Sequence, residues 1–187
     1  MLHCSIKGRD KEKRRIEAHK STVYALELCP NGHKLATASE KGTLIRIFDI
    51  STTECLQELR RGSDYATIYS LAFDITSQWL ACSSDSGTVH IFGLKKTGEE
   101  GDTVNKKSKL GFLSKIVSYL GSEWSFCSYH TNEKKTKVGF IGKTNQIAIV
   151  SYSVHLHLLR ATFSSSNSIL TKAVSVKKLP NTVYLTS

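Results

Sequence analysis

The sequence predicts an all-β fold, a partial WD-repeat-type β-propeller of about three four-stranded blades. The first observation is an internal repeat with an offset of 45 residues. VYALEL at 23–28 matches IYSLAF at 68–73, and KLATASEKGT at 34–43 matches WLACSSDSGT at 79–88, without a gap. The second is that each copy consists of short β-branched or aromatic runs separated by turn residues. A period of about 40 to 45 residues made of four short strands is typical of propeller blades.

Each copy divides into strand-like runs at its turns, such as Asn31-Gly32 and Ser86-Gly87. A third, weaker copy begins at 147, where IAIVSYSVHLHLL resembles LATASEKGTLIRIF from 35. We predict first-blade strands near 23–28, 34–39, 43–49 and 55–60. In the second blade we predict strands at 67–73, 78–83, 88–92 and, after an insertion, Trp124–Tyr129. The third blade is predicted to hold strands at 138–142, 147–151 and 154–159.

These strands imply a domain organisation that does not close into a ring by itself. Propellers typically close with about 4 to 8 blades. Either the sequence is part of a longer propeller, or its ends make compensating contacts. The predicted units are a basic segment at 1–18, assigned to the last strand of a missing blade, a blade at 19–61, a blade at 62–130 with a long loop at 93–122, a partial blade at 131–160 and a divergent tail at 161–187.

Composition narrows the classes of function. The chain has 26 Lys plus Arg against 16 Asp plus Glu, a formal net charge of +10, which attracts nucleic acid, anionic membranes or phosphorylated ligands without choosing among them. No apolar run approaches the ~18 residues of a membrane-spanning helix, and the charged start at 1–15 is unlike a signal peptide, so we expect a cytosolic protein. Walker, nucleophile-elbow and zinc-protease motifs are missing, so no catalytic residue, metal site or cofactor is predicted.

The five cysteines do not suggest a disulfide framework or a zinc site, because their number is odd and no two are spaced as C-x-x-C. Cys29, Cys55 and Cys82 lie in apolar runs and are predicted to be core residues.

An arginine pair joins the first blade to the second, in the sequence Leu59-Arg60-Arg61-Gly62. Neighbouring side chains on an extended chain point in opposite directions, so the two arginines can serve two different pockets. The guanidinium group suits phosphate because its planar donors match the phosphate oxygens. The alternative is that both arginines are solvated or tied to acidic neighbours such as Glu58 and Asp64.

The repeat places similar polar residues on both sides of this pair. The first blade offers hydroxyl donors, a glycine and a further guanidinium, and the second offers a comparable set. Ordinary turn chemistry explains each residue singly, whereas their duplication around an arginine pair favours binding. The two sets are Thr37, Ser39, Gly42, Thr43 and Arg46, and Cys82, Ser84, Gly87, Thr88 and His90.

An insertion of 22 residues relative to the repeat falls within 93–122. Its first half is polar, and its second half reads LGFLSKIVSYLG. If 110–120 is helical, one face is apolar and lies beside several lysines, which suits the interface of an anionic membrane. Packing against the side of the propeller is the alternative. The residues of that face are Leu110, Leu113, Ile116, Val117 and Leu120.

The motifs LRRG, GTLIRIFD, GTVHIF and SEWSF resemble the PROPPIN (WIPI-type) family, seven-bladed propellers that bind phosphoinositides on membranes during autophagy. The resemblance covers about 15–150 and corresponds to the last three blades. It fades from about Tyr152, which makes 152–187 divergent, and the serine-rich tail at 162–187 looks unrelated. It implies binding of phosphatidylinositol 3-phosphate and phosphatidylinositol 3,5-bisphosphate. It also implies contacts with autophagy proteins, and a cytoplasmic protein recruited to preautophagosomal and endosomal or vacuolar membranes.

The resemblance also implies site residues. The first phosphoinositide pocket would use His19, Thr37, Ser39, Gly42, Thr43, Arg46 and Arg60. The second would use Arg61, Gly62, Ser84, Thr88 and His90. The membrane-insertion loop would use Leu110, Phe112, Leu113, Ile116, Val117 and Leu120.

We therefore interpret the sequence as a non-enzymatic membrane-recruitment module. The alternatives are a generic WD-repeat scaffold, whose arginines bind acidic segments of a partner, and a non-functional truncated form. No nucleic-acid partner is expected, because the basic residues are not interleaved with an aromatic platform.

Overall fold

The computed structural model of the chain describes residues 4–7, 13–95, 103, 105, 122–142, 146–152, 155–162, 169–171 and 177–178. Within these residues it contains sixteen strands. They are β1 (Cys4–Lys7), β2 (Lys13–Ile16), β3 (Val23–Leu28), β4 (Lys34–Ser39), β5 (Leu44–Asp49), β6 (Cys55–Arg60), β7 (Ile68–Phe73), β8 (Trp79–Ser84), β9 (Thr88–Gly93), β10 (Glu123–Trp124), β11 (Cys127–His130), β12 (Thr136–Phe140), β13 (Gln146–Ser151), β14 (His155–Thr162), β15 (Ile169–Thr171) and β16 (Lys177–Lys178).

Strands β3 to β6 form the first blade, an antiparallel meander in which each strand pairs with the next along the chain. Three of its four predicted strands have the observed bounds, and the third begins at Leu44, one residue later than predicted. Strands β7, β8 and β9 repeat the meander in the second blade, also within one residue of the prediction. The period of the sequence is therefore the period of the structure.

The predicted single strand Trp124–Tyr129 is wrong, because this segment is divided between two sheets. Strand β10 runs parallel to the end of β6 and extends the first blade. Strand β11 then pairs antiparallel with β9 and completes the second blade. The segment crosses from one blade to the next, and β10 covers an edge of the first blade that the meander leaves unpaired.

The third blade is built on β12, β13 and β14, and β14 also pairs with β15 and β16. The strands β15 and β16 lie in the segment expected to be a divergent tail, at 161–187. Strands β1 and β2 form a separate two-stranded sheet before the first blade. The boundaries of the structural units stay predictions.

Apolar side chains between neighbouring blades form the core. One cluster joins the first and second blades through Leu59, Ile45 and Leu71, and another joins the second and third through Ile91 and Ile149. Alternation is visible on β5, which sends Ile45 and Ile47 into the first cluster, and on β8, which sends Leu80 to the first and Ala81 to the second. Blade-on-blade packing therefore holds the fold together.

The free face of the first blade shows that the ring is partial. Leu71 and Phe73 of β7 are 6% and 8% exposed because they pack against the first blade. Their repeat equivalents on β3, Leu26 and Leu28, are 54% and 53% exposed. Ile16 packs in a small cluster on the outer part of the same face. The described residues provide no inner strands of a preceding blade.

The cysteine prediction holds for Cys29 and Cys82, which are buried, and is wrong for Cys55, which is exposed. Cys55 opens the outermost strand of the meander, next to an irregularity in the pairing of β5 with β6. Cys127 is also buried. The described part of the chain has no helix long and apolar enough to cross a bilayer.

Gly42 lies in the turn between β4 and β5 with φ of 60°, and a Cβ there would lie 1.7 Å from the carbonyl oxygen of Ala66. Gly32 has φ of 75° and nothing within 4 Å of its Cβ position. We predict that Gly42→Ala lowers the free energy of unfolding by about 3 kcal/mol, because backbone strain and overpacking add. The control Gly32→Ala should cost only about 1 kcal/mol of strain. Urea unfolding followed by circular dichroism measures both, and equal losses would contradict the close packing at Gly42.

Candidate functional site

The two arginines between the first and second blades point to opposite sides of the first blade. Leu59 is fully buried in the cluster that faces the second blade. Arg60 follows it on the same strand, so its side chain leaves from the opposite face. Arg61 Nη2 donates to Asp64 O, in the chain that leads into the second blade, so its guanidinium lies on that side, where its charge lowers the pKa of His90. The junction thus directs one cation to each face.

Arg60 is only 4% exposed, and its Nε donates a hydrogen bond to Ser122 Oγ at 2.8 Å. The backbone of Trp124 pairs with Arg60 in the parallel ladder of β6 and β10. The chain segment that follows the insertion therefore packs directly on this arginine. The repeat contains no signal for this contact, because Ser122 lies at the end of the inserted sequence.

Arg61 is 7% exposed and is held by backbone carbonyls. Its Nε donates to Gly42 O at 2.9 Å, and its Nη2 donates to Asp64 O. Its own backbone N–H donates to Thr43 O at 2.9 Å. Within the described residues, Nη1 makes no hydrogen bond and no carboxylate lies within ion-pair distance of the guanidinium. The cation is therefore desolvated, and no carboxylate of the described residues neutralises it.

Three residues predicted for the first pocket come together on the face of the first blade away from the second. His19 and Thr37 share a hydrogen bond of 2.9 Å between Nε2 and Oγ1. Arg46 donates from Nη1 to Ala18 O at 2.7 Å. Burial, and then the charge of Arg46, lower the pKa of His19, so its imidazole is neutral at neutral pH.

The sequence prediction missed the partner of Arg46. Glu58 Oε2 accepts from Arg46 Nε at 3.0 Å and lies 2.9 Å from Nη2, so this guanidinium is already neutralised. The two residues are directly opposite each other in the ladder of β5 and β6. Glu58 therefore pairs with Arg46, whereas the sequence suggested it as a partner for the arginine pair. The register of β5 and β6, which places these two residues opposite each other, is the signal that predicts the ion pair.

A pocket of about 620 Å³ opens beside this first set. His19 and Arg46 line it, together with residues of the segment that leads into β3. Its basic side chains come from Arg15, Lys20 and Arg46, and its acidic ones from Glu17 and Glu40.

The remaining first-pocket residues shape the turn between β4 and β5. The N–H of Gly42 donates to Ser39 O, and Thr43 O accepts from the backbone of Arg61. Glycine at 42 is required by the approach of Ala66, so its presence does not by itself indicate a phosphate. The side chains of Thr37 and Ser39 are buried.

In the second set each polar side chain already has a hydrogen-bond partner. Ser84 Oγ lies 2.8 Å from the hydroxyl of Ser86. Thr88 Oγ1 lies 3.1 Å from His130 Nδ1, and His90 Nδ1 lies 3.2 Å from Ser125 Oγ. By contrast, Gly62 has open space around its Cβ position.

His90 is a neutral group in this environment. Burial, and then the charge of Arg61, lower its pKa to about 4. Its ring stacks on Phe92 with the centroids 6.3 Å apart. Ser125 and His130, which contact the second set, were missed because they follow the insertion, where no repeat equivalent predicts them.

The predicted membrane-insertion residues, Leu110, Phe112, Leu113, Ile116, Val117 and Leu120, lie outside the described residues. No group of three or more His, Cys, Asp or Glu side chains suited to a metal ion occurs in the described part of the chain.

Solved structures with the same fold include two fungal Hsv2 proteins. The Hsv2 protein of Kluyveromyces lactis matches with a TM-score of 0.68 and 24% identity, covering 89% of this chain and 51% of that chain. Hsv2 of Kluyvelomyces marxianus matches with a TM-score of 0.67 and 22% identity, covering 86% and 47%. The β-propeller domain of Myceliophteria thermophila Cps50 (Swd1) matches with a TM-score of 0.56. These matches confirm a partial propeller.

Curated relatives extend the comparison beyond the fold. Autophagy-related protein 18 of Mycosarcoma maydis is 42% identical over 131 residues, which cover 68% of this chain and 29% of the relative. Autophagy-related protein 21 of Schizosaccharomyces pombe is 34% identical over 152 residues, which cover 76% of this chain and 45% of the relative. The chain thus spans less than half the length of both. The PROPPIN family model matches residues 9–181, so the expectation that the tail from 162 is unrelated to the family is wrong as far as residue 181. This chain therefore belongs to the PROPPIN family, whose members are not enzymes.

Proposed function

We propose that this chain is a phosphoinositide-binding peripheral membrane protein that acts in autophagosome formation. The environment of the Arg61 guanidinium is the observation that supports the proposal. This guanidinium is buried, and within the described residues it is bonded to two carbonyls and neutralised by no carboxylate. A desolvated cation is costly unless an anion pairs with it, and a phosphate group supplies that anion.

Two phosphate sites follow from the opposite directions of the arginines. We assign the first to Arg60 with His19 and Thr37. We assign the second to Arg61 with Thr88 and His90. The charge of Arg61 contributes to the lowered pKa of His90. Phosphatidylinositol 3-phosphate and phosphatidylinositol 3,5-bisphosphate are the proposed ligands. The net charge of +10 attracts the protein to anionic membranes in either case.

The role in autophagy rests on the relatives, two of which are named as autophagy-related proteins. We extend to this chain a cytoplasmic location, with recruitment to preautophagosomal and endosomal or vacuolar membranes. Other autophagy proteins are its proposed partners.

Replacing Arg60 and Arg61 by Thr should lower binding to liposomes containing phosphatidylinositol 3-phosphate by at least about tenfold, because each arginine loses charge-assisted hydrogen bonds. Liposome flotation measures the bound fraction. The matched control replaces the exposed Lys134 and Lys135 by Thr, which removes the same two charges and should change binding by less than about threefold.

Two further arms of this experiment separate specific from bulk attraction. Liposomes of equal charge that contain phosphatidylserine should bind weakly, and equal binding to both lipids would overturn the proposal. Arg61→Lys keeps the charge but loses the planar donors, and it should weaken binding without unfolding the protein.

Ligand binding should also raise the pKa of His90, because a nearby phosphate favours the imidazolium form. In the free protein the ring titrates at about 4. As the pH falls, the His90 ring of the complex should therefore become protonated at a higher pH than the ring of the free protein. NMR titration of the ring, with and without inositol 1,3-bisphosphate, measures both midpoints, and His90→Gln assigns the signal. An unchanged midpoint would place the ligand away from His90.

The proposed insertion loop has its own test. Leu113→Asp with Ile116→Asp should weaken retention on the same liposomes, because charged side chains are costly below the membrane interface. Binding of soluble inositol 1,3-bisphosphate should persist. Unchanged retention would mean that this segment packs against the protein and does not insert.

A further inference from the structure

Asn105 lies inside the insertion that follows β9. Its side-chain amide makes the two hydrogen bonds that the backbone of a neighbouring strand would make. Its Oδ1 accepts the backbone N–H of Gly93 at 2.7 Å, and its Nδ2 donates to Gly93 O at 2.7 Å. Gly93 is the last residue of β9. A single side chain therefore satisfies both backbone groups at the point where the insertion leaves the second blade.

Glu123 brings the far end of the insertion to the same place. Its Oε2 accepts from Asn105 Nδ2 at 2.8 Å and also from the hydroxyl of Thr103. Its Oε1 lies 4.0 Å from Lys95 Nζ. The carboxylate is largely buried, so these bonds are poorly screened by water. Residues before and after the segment 106–121 thus converge on one carboxylate.

Gln57 of β6 connects this cluster to the first blade. Its Nε2 donates to Glu123 Oε2 at 2.8 Å and to Gly93 O at 3.2 Å, and its Oε1 accepts the N–H of Lys95 at 3.1 Å. Gln57 is buried and lies three residues before Arg60 on the same strand. Both ends of the insertion are therefore fastened to the strand that carries the first arginine.

We propose that Gln57, Asn105 and Glu123 form a clasp that positions the segment 106–121 relative to the arginine pair. The inference rests on the proposed function, in which this segment contacts the membrane while the arginines hold headgroups. The headgroup contact and the membrane contact reinforce each other only when both are held close together. A longer connection between them lowers the effective concentration of the second contact. The clasp fixes the two points, Asn105 and Glu123, between which the segment runs. Its members are positioning residues and contact no phosphate in this scheme.

Asn105→Ala should lower retention on liposomes containing phosphatidylinositol 3-phosphate by about fivefold to tenfold, whereas affinity for soluble inositol 1,3-bisphosphate should stay within twofold. The matched control is Asn132→Ala, at an exposed asparagine, which should change neither quantity. Equal losses of retention and headgroup affinity would show general damage to the fold and overturn the clasp. Glu123→Gln keeps an acceptor for Asn105 and Gln57, and it should retain most of the wild-type binding.

A double-mutant cycle separates positioning from a merely structural role. Leu113→Asp with Ile116→Asp should cause little further loss of retention in the Asn105→Ala background, because both changes remove the same membrane contact. Losses that multiply independently would overturn the proposal.

A measurement without lipid keeps this proposal distinct from the proposed function. Spin labels on the exposed native Cys55 and on Ser114→Cys, in a Cys4→Ser background, report the distance from β6 to the segment. Asn105→Ala should broaden the distance distribution at least twofold, and Asn132→Ala should not. An unchanged distribution overturns the clasp even if liposomes bind, and a broadened one supports it even if no liposome binds.

Discussion

The burial of Leu59 between the first and second blades sets the direction of both arginines. A slip of one residue in the pairing of β6 would expose Leu59 and turn Arg60 into the apolar cluster, so the register is strongly specified. The same strand carries Gln57 on its second-blade face and Glu58 on the other. The burial of Leu59 therefore fixes the face of β6 on which each of its polar side chains lies.

The candidate site also shows that a count of positive charges does not tell which cations are already paired with a carboxylate. Arg46 and Arg61 both lie in the candidate pockets, but Glu58 neutralises Arg46, whereas Arg61 is bonded to carbonyls. Carbonyl groups hold a guanidinium in place without cancelling its charge. In the function proposed above, a cation held in this way pairs with a phosphate directly, whereas an ion pair would have to be broken first.

Repetition produced two sites of different chemistry on similar frameworks. Gly42 and Gly87 occupy equivalent turns with positive φ, and in both cases the chain that enters the next strand passes close to the glycine. At the position where the first blade has a charged Arg46, the second has His90 with a pKa of about 4. The two equivalent positions therefore differ in charge: Arg46 is a cation paired with Glu58, and His90 is a neutral imidazole beside Arg61.

The sequence by itself determined the blade period, the meander strands of the first two blades, the arginine pair and the duplicated polar sets, because these are local or periodic signals. Only the tertiary structure decided that the segment after the insertion divides between two sheets, that Ser122 contacts Arg60, that Ser125 contacts His90 and that Asn105 and Glu123 meet at Gln57. These contacts join residues up to 66 positions apart across an insertion without a repeat equivalent. Spacing along the chain does not predict such contacts. They depend on how neighbouring blades pack and on where the chain returns to the blades after the insertion.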